Sequence, residues 1–565
     1  MAHLNDGAAT PSPRQTPKLL GDMTVFDFRE GYDRGDFTCE QVIQTLIDRI
    51  EELNPCFGAI SIVNPDAMKI AKLRDNERRD GVPLGRLHGI PVLLKDVFLT
   101  TDAMPSTVGC SGLVGATPSF ESALVRILRD EGAILLGKTV PSQWGNYRSN
   151  GMPAGWSAYG GQCRGIFGKD QNPCGSSTGS AVAVALGLAP IAFGTENAGS
   201  IASPARCAGV VGVKPTAGLI SGHGVYALSK QQDSVGVLAK TVREAAMVLD
   251  VVAQKHKDTG QYTKVAPSDD CPLPDDPHGQ VAGVVAPMRN FAVACDDSKA
   301  LSGMRIAVPW DIIKCDEFVM EQFRLALHTM KMHGASVVED VHFTRWSLST
   351  TKMPHYETAL QVDAIENMNR FLGCFKENPN GLTTFRDVMA YTAKTAVEEN
   401  DLWGMDTWEK SREAAEKYPP GSEEYEMSVK LRKQMSTQIQ ELLDAYKCDV
   451  IAAPWWTDTG APVAGCPQIS VPLPAYPEGT KEERSANSRI TVGPNIPTSI
   501  MFVGRREDDA TVIRAAHAFE QVTQHRKLFK PDFKSNCQAV KDEIDGTTGE
   551  KKSRGRVPPA LAIGK

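Results

Sequence analysis

Between Gly145 and Gly236 the chain places 18 of its 49 glycines, about 20% of that segment against about 7% elsewhere. A flexible linker would be polar, but this segment also carries long apolar runs. Ser180 to Ala189 (SAVAVALGLA) is apolar around its whole circumference, which predicts a fully buried helix. Glycine lets backbone segments approach closely or take positive φ. A packed segment rich in Gly, Ser and Ala therefore points to a site built from backbone.

The rest of the chain mixes helical and strand patterns without an internal repeat. Thr38 and Gln41 form a capping-box pattern, followed by Val42, Leu46, Ile47 and Ile50 at helical spacing. Asn64-Pro65 predicts the start of a second helix that runs through Arg79. Pro91 to Thr100 reads as a buried strand, Phe120 to Glu131 as a helix and Ala133 to Lys138 as a strand. Ile191 to Gly194 is a short strand and Thr241 to Ala253 a helix. Further on, Met304 to Pro309 and Ala335 to Glu339 read as strands around a helix that ends at His333. Leu431, Met435, Ile439, Leu442 and Tyr446 share one helix face. Asp449 to Pro454 and Gln468 to Pro472 read as strands, and Asp508 to His525 as a late helix.

No linker splits this mixture, which predicts one large α/β domain over residues 19–530. Residues 257–287, polar and Pro-rich, read as a surface insertion. Residues 1–18 and 531–565 read as tails.

Charge and targeting signals narrow the function classes. Acidic residues outnumber basic ones 68 to 61, for a net charge of −7, which disfavours generic nucleic-acid binding. The longest apolar stretch, Ala181 to Phe193, is interrupted by Gly187 and Pro190 and is too short to span a bilayer. No secretory, retention or peroxisomal signal is legible, so a cytoplasmic home and no membrane partner are expected. The 13 cysteines lack CxxC or Cys/His spacing and read as reduced thiols, with no metal site implied.

Three features ask for more than packing. Lys95 lies among Leu93, Leu94, Val97, Phe98 and Leu99. It is either an outward residue of an edge strand or a buried amine, and burying an ammonium is costly unless it is paired or neutral. Pro173 to Ser180 (PCGSSTGS) precedes the buried helix and fits a simple cap or an anion cradle. It lacks the lysine of a nucleotide-binding P-loop. Gly194 to Pro204 (GTENAGSIASP) is a second turn of small residues, with Ser200 inside it. A serine attacks a carbonyl only when a base removes its proton, and a desolvated lysine can be that base. The N–H groups of a glycine-rich turn can hold the resulting oxyanion.

With these segments aligned, the chain resembles the amidase signature family from about residue 20 to 530. Gly85 to Asp96 (GRLHGIPVLLKD), Gly132 to Thr139 (GAILLGKT), Cys207 to Ser221 (CAGVVGVKPTAGLIS) and Gln232 to Gly236 (QDSVG) carry the likeness. So do Ala464 to Pro472 (AGCPQISVP) and Glu520 to Thr523 (EQVT). Pro173 to Ser180 corresponds to the family's PGGSSGGS, and Gly194 to Ser200 to its GTDxGGS. The resemblance implies a large twisted mixed β-sheet covered by helices on both faces. It also implies a Ser–Ser–Lys triad with Ser200 as nucleophile, Ser176 (with a cis peptide geometry) as proton relay and Lys95 as base. Backbone amides of Asn197, Ala198, Gly199 and Ser200 would form the oxyanion hole. The implied substrate is a small-molecule amide, with no cofactor. His88, near Lys95 in sequence, is expected to be structural.

Five positions depart from the family pattern around the triad. Glu196 stands where the family has Asp, and Ala202 where it has Arg. Cys174 and Thr178 replace glycines. Ala198 also replaces glycine, which is tolerable only with negative φ. Substrate contacts are expected among Gln143, Trp144, Asn146, Tyr147, Gln232 and Asp233, although Trp144 and Tyr147 fit equally well as packing under the loops. The same acyl-enzyme would also serve an esterase or an acyl-transferring tailoring enzyme. The remaining alternatives are an inactive scaffold on this fold and a component of an amidotransferase complex. The sequence carries no signal of oligomeric state.

Overall fold

Thr38 starts the helix Cys39–Phe57 as its pattern predicts: its hydroxyl accepts from the Gln41 N–H, and the Gln41 side chain reaches back to the Thr38 N–H. Gly58 closes that helix at φ 59°, a conformation that favours glycine. The next helix begins at Ala67 rather than at Pro65. Asn64 uses its side chain on the Asp66 N–H, which holds the chain in a turn before helix formation.

In this computed structural model, residues 20–229, 232–253, 291–296, 300–344, 355–455, 457–529, 531, 533 and 537–538 are described. The expected tail 1–18, the insertion 257–287 and most of the tail 531–565 lie outside the described residues.

The centre of the molecule is an 11-stranded sheet. In chain order its strands are β1 (Ile60–Val63), β2 (Pro91–Lys95), β3 (Ile134–Thr139), β4 (Ile191–Glu196), β5 (Val211–Lys214), β6 (Ser234–Ala239), β7 (Arg305–Ala307), β8 (Ser336–Val338), β9 (Val450–Pro454), β10 (Gln468–Ala475) and β11 (Pro497–Val503). Their spatial order is β1-β3-β2-β4-β6-β5-β10-β11-β9-β7-β8. The sheet is mixed: β2 runs parallel to β3 and β4, whereas β4, β6, β5, β10 and β11 alternate in direction. Every residue of β2, β3, β6, β9 and β11 is buried, so these strands are covered on both faces. One continuous apolar cluster runs from Met23 to Phe519. Among the described residues no helix is long and apolar enough to cross a membrane.

Three further expectations need correction. The predicted strand Pro91 to Thr100 stops at Lys95, because Val97 and Phe98 turn back to donate to the Lys95 carbonyl. The apolar face Leu431 to Tyr446 belongs to two helices, Glu423–Met435 and Gln438–Ala445. Between them the Ser436 and Thr437 hydroxyls bond the carbonyls of Lys433 and Gln434, competing with the helical ladder. Finally, not all thiols are reduced: Cys56 and Cys537 form a disulfide across 481 residues of sequence, a pairing no local spacing reveals.

Candidate active site

The register of the central strands brings the two serine turns onto Lys95. β2 pairs with β4 through Leu93↔Ala192 and Leu94↔Phe193, so Lys95 at the end of β2 comes level with Gly194, and its side chain reaches Thr195. The helix Thr178–Ala185, buried almost throughout, follows the Ser176 turn and leads back to β4. The Ser200 turn then leaves β4 and enters the helix Ala202–Ala208. The Ser177 N–H donates to the Ser200 carbonyl at 3.0 Å, which ties the turns together.

Lys95 is a buried amine, 1% exposed. Its Nζ lies 2.7 Å from Ser176 Oγ, 2.9 Å from Thr195 Oγ1 and 3.3 Å from the Thr195 carbonyl. The adjacent Asp96 does not pair with it. Asp96 accepts from Thr107 and lies 3.7 Å from the Lys138 ammonium. Lys95 is thus buried with no carboxylate in contact, and burial drives its pKa down to about 7 against the pull of Asp233 and Glu196. An amine in this state offers a lone pair. The Thr195 carbonyl and hydroxyl can take its N–H groups, which leaves the lone pair to face Ser176.

Ser176 follows a cis peptide bond from Gly175, and its carbonyl accepts from the Ser142 N–H at 3.0 Å. Ser200 follows Gly199, whose φ of 77° lets the turn double back so that the Ser203 N–H reaches the Gly199 carbonyl. The Ser200 hydroxyl donates to no described residue, and neither do the N–H groups of Ala198, Gly199 and Ser200. Ala198 has no positive φ, so its extra Cβ is accommodated.

The sequence departures find structural partners. Glu196 accepts from the Ile201 and Ala202 N–H groups at 2.7 and 3.0 Å, and its other carboxylate oxygen takes the Gln468 amide. It thereby clamps the backbone immediately after Ser200. Ala202 packs with Trp455 and Met501. Cys174 keeps a glycine-like φ of 56°.

Of the expected substrate contacts, Gln232 and Asp233 lie against the Ser200 turn. Gln232 Nε2 donates to the Asn197 carbonyl at 2.9 Å and is itself held by Arg432. Asp233 accepts from the Asn197 side chain and the Leu228 N–H, and burial raises its carboxyl to about 6. Gln143 is placed elsewhere: it is fully buried, with its amide spent on Glu398 at 2.6 Å and Arg148 at 2.9 Å. That makes it a brace beneath the loop. Trp144 is also fully buried, edge-on to Tyr226 and Trp408, which is the packing role. Tyr147 meets Ser411 at 3.1 Å and Asn146 is exposed at φ 66°. His88 contacts Glu77 at 3.0 Å, away from Lys95. Sequence reasoning missed Thr195, Gln468, Arg432 and Glu398. The last three lie more than 195 residues from the groups they hold, and only the fold joins them.

Comparison with known proteins adds an independent line. The family model described as Amidase matches residues 41–462. A protein of Arthroderma benhamiae, provisionally named an amidase, is 36% identical over 505 residues, covering 88% of this chain and 81% of its own. A glutamyl-tRNA(Gln) amidotransferase component from Acidothermus cellulolyticus is 32% identical, over 78% of this chain and 81% of its own. The crystal structure of native peptide amidase from Stenotrophomonas maltophilia superposes with a TM-score of 0.76 at 30% identity, covering 90% of this chain and 99% of that one.

Proposed function

The chain belongs to the amidase family, enzymes that hydrolyse amide C–N bonds, and from that premise we propose that it works through an acyl-enzyme on Ser200 with Ser176 and Lys95 as its proton relay. The observation that carries this reading is the 2.7 Å contact between the buried Lys95 amine and Ser176 Oγ. Neutral Lys95 takes the Ser176 proton as Ser176 takes the proton of Ser200. Ser200 Oγ then attacks the amide carbonyl carbon. The oxyanion is received by the backbone amides of Asn197, Ala198 and Gly199, the last two of which donate to no described group. As the tetrahedral adduct collapses, Ser176 passes a proton to the departing nitrogen. Water then attacks the acyl-enzyme through the same relay, releasing a carboxylic acid and restoring Ser200.

The test is labelling with a fluorophosphonate together with turnover of a panel of amides. Peptide amides come first because the structural neighbour is named a peptide amidase. Wild-type protein labels and turns over, and Ser200→Ala does neither. Undiminished labelling of Ser200→Ala would refute the assignment of the nucleophile. Unchanged turnover in Lys95→Ala would refute the base.

A further inference from the structure

Two cysteines that the proposed reaction does not use sit beside its relay. Cys174 lies two residues before Ser176, in a loop whose backbone is held by Asn172 and by the Thr178 hydroxyl. Cys207 lies on the helix Ala202–Ala208 that follows Ser200. Their sulfurs are 3.0 Å apart. The Arg206 guanidinium lies 3.2 Å from Cys207 Sγ. Cys174 is partly exposed whereas Cys207 is buried, so the two thiols differ in access to solvent. They also differ in acidity. The hydrogen bond from Cys207 and the charge of Arg206 lower the Cys174 thiol, and burial raises Cys207. The accessible thiol is therefore the one that more readily forms thiolate, the reactive form.

We propose that Cys174 and Cys207 form a redox couple whose oxidation by a hydroperoxide closes a disulfide and switches off the neighbouring Ser176–Lys95 relay. The inference rests on the amidase reading only for its effect on catalysis. The Cys174 thiolate attacks a peroxide oxygen, the O–O bond breaks, and the sulfur leaves as a sulfenic acid with release of hydroxide or, from an organic peroxide, alkoxide. Cys207 sulfur then attacks the Cys174 sulfur. An S–S bond forms, the S–O bond breaks, and the departing hydroxyl takes the Cys207 proton as water. Two electrons pass from the sulfurs to the peroxide, and a small dithiol returns them.

Bonding draws the sulfurs from 3.0 Å to about 2.05 Å, a closure of about 1 Å. One end of that movement is the loop that carries Ser176 Oγ against Lys95 Nζ, and the other is the helix that begins just after Ser200. If the whole closure reached Ser176, a misplacement of that size would cost about 10²-fold in rate, which sets the upper end of the expected loss.

The experiment treats the full-length protein with hydrogen peroxide and follows two readouts: non-reducing peptide mapping, and turnover relative to the untreated sample of the same protein. The expected result is a peptide pair joined through Cys174 and Cys207, a turnover loss of up to about 10²-fold, and recovery with dithiothreitol. Cys207→Ala and Cys174→Gly should each retain their own starting activity at the same dose. Two variants on different elements guard against a folding defect in either. No joined peptide, a joined peptide with turnover unchanged, or equal inactivation of both variants overturns the proposal. Mapping needs no substrate, so the bond is judged separately from the amidase reading.

Discussion

Lowering the pH should silence this enzyme by protonating Lys95. The folded pKa of about 7 stands 3.5 units below the ordinary 10.5. At about 1.36 kcal/mol per unit, burial outweighs the attraction of Asp233 and Glu196 by roughly 5 kcal/mol. The sign follows from the charge. Burial disfavours the ammonium, so the neutral base is populated above pH 7 and lost below it. For Lys95 titrating alone, the neutral fraction two units below the pKa, at pH 5, is about 1%, so kcat/KM should fall toward, and at most, about 100-fold below its plateau. The assay is kcat/KM between pH 5 and 9 on an uncharged amide, so that the substrate does not titrate. Asp233, at about 6, is the carboxyl in this window that acts on Lys95. Its protonation removes a pull toward the ammonium and makes the lowest part of the limb shallower than one decade per unit. A plateau that runs flat to pH 5, or a midpoint near 10, would refute the argument that Lys95 is the base.

Further outcomes follow from other contacts. Glu196→Gln removes a negative charge that favours the Lys95 ammonium, so the acid limb should move to lower pH; a purely structural lesion would lower the plateau and leave the midpoint in place. Glu398→Ala leaves the buried Arg148 guanidinium without its carboxylate, and should cost about 3–5 kcal/mol in a urea titration while the folded protein still labels with fluorophosphonate. Gly199→Ala forces a side chain into left-handed backbone, at about 1–2 kcal/mol, with its Cβ only 2.8 Å from Ser203 Oγ. Its kcat should fall much more than its thermal midpoint, because the strain falls on the turn that holds Ser200.

Features coded by near neighbours were legible in the sequence. The Thr38–Gln41 cap, the all-apolar helix after Ser176 and the suspicious burial of Lys95 each depend on residues within one element. What the sequence hid is long-range. Nothing near Asp96 says that its cation is Lys138 on the neighbouring strand, yet this choice leaves Lys95 without a carboxylate in contact and so able to lose its proton. Nothing near Gln143 announces Glu398, 255 residues later, which turns a candidate substrate contact into a brace. The apolar spacing from Leu431 to Tyr446 marks the side that packs inward but not the division into two helices. A hydrophobic stripe does not register the break that Ser436 and Thr437 introduce.

The paired departures at Glu196 and Ala202 make sense only together with the residues around them. An Arg at 202 would bring a cation beside Glu196, and with Ala there the carboxylate needs other partners. It finds them in two backbone N–H groups and the Gln468 amide, with Lys214 adding an attractive charge from β5. Ala202 meanwhile leaves room for Trp455 and Met501 to pack against the start of the helix. An arginine does stand one helical turn later. Arg206 is four residues on, on the same helix face, and its guanidinium stacks 4.2 Å over the Trp455 ring. Glu196 clamps the backbone behind Ser200, while the Arg206 guanidinium lies beside Cys207. Trp455 thus links the apolar contact at Ala202 to the guanidinium beside the thiol pair. Restoring arginine at 202 should therefore disturb both. Ala202→Arg would have to displace Trp455, and with it the stacking that holds Arg206 near the sulfurs. Its Cys174 should then react more slowly with iodoacetamide at neutral pH than that of the parent protein, and an unchanged rate would show that Arg206 is held there by something other than Trp455.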